Sequence, residues 1–306
     1  MSYLLGIDIG GTKFHLRARP QKGRDVNLVV PAIGHIHEIG SGALIRDLAK
    51  HVKVIQQKMG KKERIEAVCI GMAGIDTAKD HRDVLRELNK QSWWKQADPN
   101  RRILVNDLVI GLRAGTENEN SMALISGTGS NACVFEDGEQ FCVSGRGHLL
   151  ADEGSGYAIG LAGLKAATKA EDGRGSRTKI LPIMLSRFRA SEMGDIPPKL
   201  DNARSKSQIG ALNDVVEKAA EAGDRVARKI IKEAADELIL MLTTLKKRMS
   251  SRPSSIDVVL IGGTINKNKP LRNEVIRRAR KHRWMNIVPL TDDPVEGAII
   301  LAEETR

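Results

Sequence analysis

A unit made of an apolar run, a glycine turn and an alternating run occurs twice in this chain, and that repetition limits the possible folds more than any other feature. In the first copy the apolar residues from Leu4 lead to Gly10-Gly11 and out through Phe14, Leu16 and Ala18. In the second, Met122-Ala123-Leu124-Ile125 runs into Ser126-Gly127-Thr128-Gly129-Ser130 and leaves through Ala132 and Val134 to the turn Glu136-Asp137-Gly138. Period-two alternation beside a glycine turn predicts a pair of strands each time. Two copies, somewhat more than a hundred residues apart, predict two versions of one fold. Between them, Ala43 to Met59 has helical apolar spacing, and Ala67–Met72 and Ile103–Val105 read as buried strands, a βββαβαβ-like order. Beyond Gly154 the spacing predicts helices over 157–170, 180–188 and 209–249, the last broken near Gly223. Val258–Ile261 then reads as a buried strand ending in Gly262-Gly263, and Pro294–Glu304 as a closing helix.

The length of 306 residues fits two domains at roughly 150 residues each. The charge of +11 attracts either phosphorylated ligands or nucleic acid. Aromatic residues at 3% leave little from which to build a stacking platform for single strands, which argues against nucleic acid. The basic run Arg272, Arg277, Arg278, Arg280, Lys281, His282 and Arg283 reads as the solvated face of a helix, with Val275, Ile276 and Ala279 turned inward. Cys69, Cys133 and Cys142 are odd in number and lack CxxC spacing, so no disulfide framework is expected and a reducing cytoplasm is. The stretch Met1–Gly11 contains Asp8 and lacks a basic flank, which fits neither a signal peptide nor a membrane span, so a cytoplasmic location without membrane attachment is expected. Leu238, Met241, Leu242 and Leu245 form an apolar stripe read as core and as a candidate homodimer face.

Four segments carry chemistry. In Asp8-Ile9-Gly10-Gly11-Thr12-Lys13 the glycines let backbone N–H groups approach phosphate oxygens, and Asp8 at the strand end can hold Mg²⁺ through water; an ordinary glycine hairpin is the alternative. The Ser126–Ser130 segment offers the same donors with extra hydroxyls, at the same place in the second unit. Neither is a Walker A loop, nor does either open a helix as a dinucleotide fingerprint does. Asn106-Asp107 follows an apolar strand, where a carboxylate could take the proton of a substrate hydroxyl or could belong to an N-cap. Finally Gly145-Arg146-Gly147-His148, continuing to Asp152-Glu153-Gly154-Ser155-Gly156, makes a flexible loop able to wrap a polyol, with the acids alternatively starting the helix at Tyr157.

Together with Ala73-Gly74, Ala222-Gly223-Asp224, Ile261-Gly262-Gly263 and Pro294-Val295-Glu296-Gly297-Ala298, these segments resemble the motif series of the BadF/BadG/BcrA/BcrD ATPase family, in particular its N-acetylglucosamine and glucosamine kinase branch, in order and spacing over essentially the whole chain. The resemblance implies an α/β protein of two duplicated ribonuclease H-like, actin-like ATPase domains with an inter-domain cleft. The expected domains are 1–116, with 293–306 packing back on it, and 117–292 with a helical insertion. It implies a sugar kinase using ATP and Mg²⁺ on a small-molecule sugar. Asp107 matches the catalytic base and Asp8 the magnesium carboxylate. Gly10, Gly11, Thr12, Lys13, Gly127, Thr128, Gly129 and Ser130 fall to the nucleotide phosphates, and Gly223, Gly262 and Gly263 to the adenosine side. Asn106, Asp107, Arg146, Gly147, His148, Asp152 and Glu153 fall to the sugar. Arg146 stands where the kinase branch usually has Trp, and a sugar-binding Asn expected near residues 34–37 is missing from Gly34-His35-Ile36-His37. His35 and His37 could replace that contact, and Arg146 opens the option of an acidic sugar or a different hexosamine. A partner-coupled ATPase and a sugar-sensing regulator are the alternatives.

Overall fold

The computed structural model describes all residues except 1, 11–12, 34–35, 61–62, 76, 119, 137–138, 201–204, 252, 291 and 306. Gly11, Thr12 and His35 therefore lie outside the described residues. The chain divides into two compact units, one comprising Met1–Glu117 with Leu290–Arg306, the other Asn118–Pro289.

The first unit begins with the hairpin of β1 (Ser2–Ile9) and β2 (Lys13–Pro20), followed by β3 (Val26–Pro31), a single turn α1 (Ile36–Ile39) and α2 (Ser41–Met59). Then come β4 (Arg64–Met72), α3 (Ala78–Leu88), β5 (Arg102–Asn106) and α4 (Asp107–Gly115). The sheet order is β3-β2-β1-β4-β5, antiparallel through the first three strands and parallel from β1 to β5. Alternation along β1 sorts its side chains onto two faces. Tyr3, Leu5, Ile7 and Ile9 join Leu44, Leu48, Val52 and Ile55 of α2 in one core, while Leu4 points to the other face with Ala67, Cys69 and Ile110. Thr77 and Asp80 form a reciprocal capping box that starts α3.

The second unit repeats the plan. Its strands are β6 (Ser121–Ser126), β7 (Ser130–Glu136) and β8 (Glu139–Ser144), then β9 (Ile256–Ile261) and β10 (Met285–Pro289), in the order β10-β9-β6-β7-β8 with the same pattern of parallel and antiparallel pairs. Between β8 and β9 come α5 (Gly156–Glu171), α6 (Ile180–Phe188), α7 (Ser205–Ala211), α8 (Asn213–Glu221) and α9 (Arg225–Arg248); α10 (Gly263–Lys267) and α11 (Lys269–Ala279) follow β9. The expected long helix over 209–249 is thus broken at Leu212 as well as near Gly223. One continuous core joins Met122 and Leu124 of β6 to Leu238 and Leu242 of α9 and Val275 of α11.

Two expectations are corrected here. Cys133 and Cys142 are disulfide-bonded, because they stand directly opposite each other in the β7–β8 ladder with Cα atoms 4.0 Å apart; pairing register, not Cys spacing, brings them together. Arg278 is not on a solvated face. It is buried, with Nε on Asp236 of α9 at 2.5 Å and further bonds to Glu274 and the Lys232 carbonyl, so part of the basic run is spent inside the fold, and Ile276 is only partly covered.

The last helix, α12 (Pro294–Glu304), belongs to the first unit, where it packs on α4 and β1 and adds Ala298, Ile299 and Ala302 to the second core face. Glycine makes this approach possible: a Cβ on Gly297 would lie 1.8 Å from the Ile110 carbonyl oxygen, and one on Gly6 would lie 2.9 Å from Ile299 Cγ1. No helix among the described residues is long and apolar enough to cross a membrane.

Candidate functional site

In the first unit the chemistry gathers at the carboxyl ends of the parallel strands. Asp8, the last residue but one of β1, lies on the α4 and α12 face, aligned with Gly71 of β4, which in turn aligns with Val105 of β5. Asn106 caps α4, its Oδ1 accepting the Leu108 N–H at 3.0 Å, and this places Asp107 in the first helical turn. The cap reading of the pair holds for Asn106, and Asp107 stands beside it in the first turn at the strand end. Asp8 is only 7% exposed, and burial together with the charges of Asp107 and Asp293 pushes its carboxyl up to about 7, with the Lys13 ammonium pulling the other way. Asp8, Asp107, Asp293 and Lys13 thus share one electrostatic neighbourhood.

Asp293 enters it through α12. Glu296 receives hydrogen bonds from Arg17 and from both terminal nitrogens of Arg19, each at 2.9 Å, and Arg19 is shared with Asp25. This clamp fixes the start of α12 against β2. His15, the register partner of Asp8, is buried with Nδ1 3.8 Å from Asp293 Oδ2 and Nε2 3.3 Å from Asn27 Oδ1; burial lowers its pKa. Among the described residues no three His, Cys, Asp or Glu side chains form a metal cage. The neighbouring carboxylates Asp8 and Asp107 are a donor set that fits Mg²⁺, which keeps several waters and takes one or two carboxylates plus substrate phosphates. Two coupled carboxylates, one of them buried at a cost, are what a divalent cation would relieve.

In the second unit the Gly127–Gly129 turn is tied down on three sides. The Gly127 carbonyl accepts the Gly156 N–H and the Thr264 hydroxyl, both at 2.8 Å, and Gly127 N–H bonds Gly129 O at 2.9 Å. Ser126 Oγ donates to Gly154 O at 2.8 Å, and Ser130 Oγ to Glu153 O at 2.5 Å. Gly262 has φ +109, and a Cβ there would lie 2.6 Å from the Ser126 carbonyl oxygen, so the β9–α10 turn approaches the loop as only glycine allows. A Cβ on Gly263 would meet nothing within 4 Å. These segments, far apart in sequence, form one rigid cradle with an open side.

Positive φ occurs at Ser144, which ends β8, and at Gly145, Gly147, Asp152 and Gly154 of the loop after it. Asp152 is 3% exposed, with Oδ1 accepting the Ser130 N–H at 3.1 Å and Oδ2 the Lys206 ammonium at 2.9 Å. Glu153 is exposed and within 3.4 Å of Ser144 Oγ. Arg146 is exposed, and so is His148, whose ring meets Tyr157 edge-on at 4.9 Å between centroids. Beside them a cavity of about 210 Å³ is lined by His148, Glu153, Tyr157, Leu161 and Lys165, among others. Gly223 sits at φ +85 in the α8–α9 turn, where Asp224 caps α9 and also accepts from Thr178 at 2.9 Å and Lys179 N–H at 2.8 Å. His37 is exposed in α1.

Sequence reasoning missed His15, Asp293 and Lys206. Lys206 lies in a polar stretch that reads as loop, and only the apolar residues from Ile209 onward signal the helix that presents it. His15 is one polar residue in an alternating strand, and Asp293 reads as a cap before Pro294.

Comparison with known proteins gives a consistent result. Residues 5–302 match the model of the BadF/BadG/BcrA/BcrD ATPase family. The chain is 30% identical over 310 residues to an N-acetylmuramic acid/N-acetylglucosamine kinase of Clostridium acetobutylicum, covering 99% of this chain and 98% of that one. It is 25% identical over 322 residues to the N-acetyl-D-glucosamine kinase of Dictyostelium discoideum, covering 99% and 98%. A crystal structure from Chromobacterium violaceum, described as a candidate N-acetylglucosamine kinase, superposes with a TM-score of 0.75 at 20% identity over 98% of each chain, a likeness of fold. The duplicated sheets, the glycine turns and this match over nearly the full length place the chain in the BadF/BadG/BcrA/BcrD ATPase family.

Proposed function

We propose that the protein is an ATP-dependent kinase that phosphorylates a hydroxyl of an amino sugar such as N-acetylglucosamine or glucosamine. The observation that carries the reading is Asp107, held by the Asn106 cap at the end of β5 in the same electrostatic neighbourhood as the buried Asp8, in a chain related over its length to amino-sugar kinases. Asp107 accepts the proton of the sugar hydroxyl as its oxygen bonds to the γ-phosphorus, and the bond to the β–γ bridging oxygen breaks to release ADP. Phosphoryl transfer needs little more than positioning and charge stabilisation. In the Gly127–Gly129 cradle Thr128 and Gly129 offer donors for phosphates, while Ser130, whose N–H bonds Asp152 and whose hydroxyl bonds the Glu153 carbonyl, holds the turn in shape. In the first unit Lys13 brings its ammonium, the Gly10 N–H being bonded to the Lys13 carbonyl. Gly263, where a Cβ would meet nothing within 4 Å, leaves room for the nucleotide, with Gly262 serving the close approach to Ser126. Thr128 is the exposed hydroxyl of its turn. Mg²⁺, held by Asp8 and water, would offset the charge of the phosphates. Asn106, Gly147, His148 and Glu153 serve the acceptor, and each Asp152 oxygen keeps a lone pair for a sugar hydroxyl. The exposed Arg146 suits an acceptor with an added carboxylate.

ADP release with Mg-ATP, measured over glucosamine, N-acetylglucosamine, N-acetylmuramic acid, glucose and buffer, tests the reading. A sugar-dependent rate that falls about 10² to 10⁴-fold in Asp107→Asn is expected, the range for loss of a general base. Equal turnover in every well would instead assign a partner-coupled ATPase.

A further inference from the structure

Beside the lone pairs it keeps for a sugar, Asp152 is held by the protein itself. It is a non-glycine residue at φ +69, nearly fully buried, and both of its oxygens are engaged by the protein. Such a backbone costs on the order of 1 kcal/mol or more and persists only where the surroundings enforce it. A Cβ on Gly129 would lie 2.9 Å from Asp152 Oδ1, so the carboxylate rests directly on the glycine loop. Its other oxygen holds Lys206, which comes from α7, a helix that flanks the same loop. A Cβ on Gly210 of α7 would be 3.2 Å from Thr128 Cγ2, and the Gly210 carbonyl lies 2.9 Å from where a Gly156 Cβ would be.

The pair therefore brings an ammonium to the edge of the cradle and fixes it there. One of the three Lys206 N–H donors goes to Asp152; among the described residues the other two have no protein acceptor, and the side chain is 39% exposed. A cation held by a buried carboxylate gives up part of its rotamer freedom before any ligand arrives and presents a point charge suited to phosphate oxygens. The two charges cancel at long range, yet a phosphate oxygen touching the ammonium is closer to it than to the carboxylate behind.

We infer that Lys206 contacts the phosphate chain of the nucleotide at the Gly127–Gly129 loop, and that Asp152 is the residue that positions it. This rests on the kinase reading only in taking the ligand to be a nucleoside triphosphate. Calorimetric binding of a non-hydrolysable ATP analogue with Mg²⁺, without sugar, is compared with binding of adenosine in the wild type, Lys206→Met and Lys206→Arg. Lys206→Met is expected to weaken the analogue about 10-fold or more with adenosine unchanged, and Lys206→Arg to stay within about threefold of the wild type. Analogue binding unchanged in Lys206→Met overturns the inference, whatever happens to the KM for sugar. Equal loss for analogue and adenosine assigns Lys206 a structural role and overturns it too. A wild type that binds the analogue but shows no sugar-dependent turnover defeats the kinase reading and leaves this one standing, whereas a wild type that binds no analogue defeats both.

Discussion

Replacing Asp8 with Asn is expected to stabilise the protein while disabling it, and the stabilisation is expected to depend on pH. The carboxyl is pushed from 3.8 to about 7 by burial first and then by Asp107 and Asp293. At 1.36 kcal/mol per unit, the ionised folded state carries a cost of about 4 kcal/mol at pH 8 relative to an unperturbed Asp. The folded protein binds the extra proton, so wild-type stability falls as pH rises from the unfolded value toward 7 and levels off above it. At pH 5 the folded carboxyl is mostly protonated and the cost is about 1.5 kcal/mol. The advantage of Asp8→Asn over wild type is therefore expected to grow by roughly 2 to 3 kcal/mol between pH 5 and pH 8, with a constant offset for how well the amide is bonded. Thermal melts at the two pH values, without nucleotide or Mg²⁺, read this as a difference on the order of 5 to 10 °C in the transition of the first unit. Phosphoryl transfer is expected to fall at least about 10²-fold, because the carboxylate would be needed in its charged form. A gap between variant and wild type that is the same at pH 5 and pH 8 would refute the electrostatic account of Asp8.

Gly262→Ala is expected to weaken ATP-analogue binding and to destabilise the second unit by about 2 kcal/mol or more, because the new Cβ meets the Ser126 carbonyl at 2.6 Å and φ is +109; an unchanged melt and affinity would show the turn to be looser than described. Glu296→Ala leaves Arg17 without its carboxylate and Arg19 with Asp25 alone, a loss of about 1 to 2 kcal/mol after discounting for partial exposure, read by urea unfolding and shrinking in high salt.

The duplication was legible because it is written in local pattern: strand, glycine turn, strand, twice. So was the placement of Asp107 at the carboxyl end of a buried strand, where an apolar run gives way to a helix. What sequence could not carry were relations set by packing. β10 has Met285, Ile287 and Val288 as its apolar signal in five residues, a run too short to stand out beside a basic stretch, and it becomes a strand because the edge of β9 offers it a ladder. Cys133 and Cys142 meet through register, Arg278 is buried because α9 supplies Asp236, and Lys206 gains meaning only when α7 docks on a loop some eighty residues earlier in the chain. Asp152 was legible as a polar residue in a flexible loop, but its engagement on both oxygens was not.

The place of α12 in the chain has a consequence for how the protein is made. Residues 118–289 are contiguous and can fold as they leave the ribosome, but the first unit is interrupted: its Leu4, Ala67 and Ile110 face waits for Ala298, Ile299 and Ala302, which are translated after the whole of the second unit. At roughly 5 to 20 residues per second, that apolar face stays uncovered for on the order of ten seconds or more. Of the two units, the one that begins to emerge first is thus the second to be finished, and the time in between is when a chaperone, or a neighbouring nascent chain, would find it.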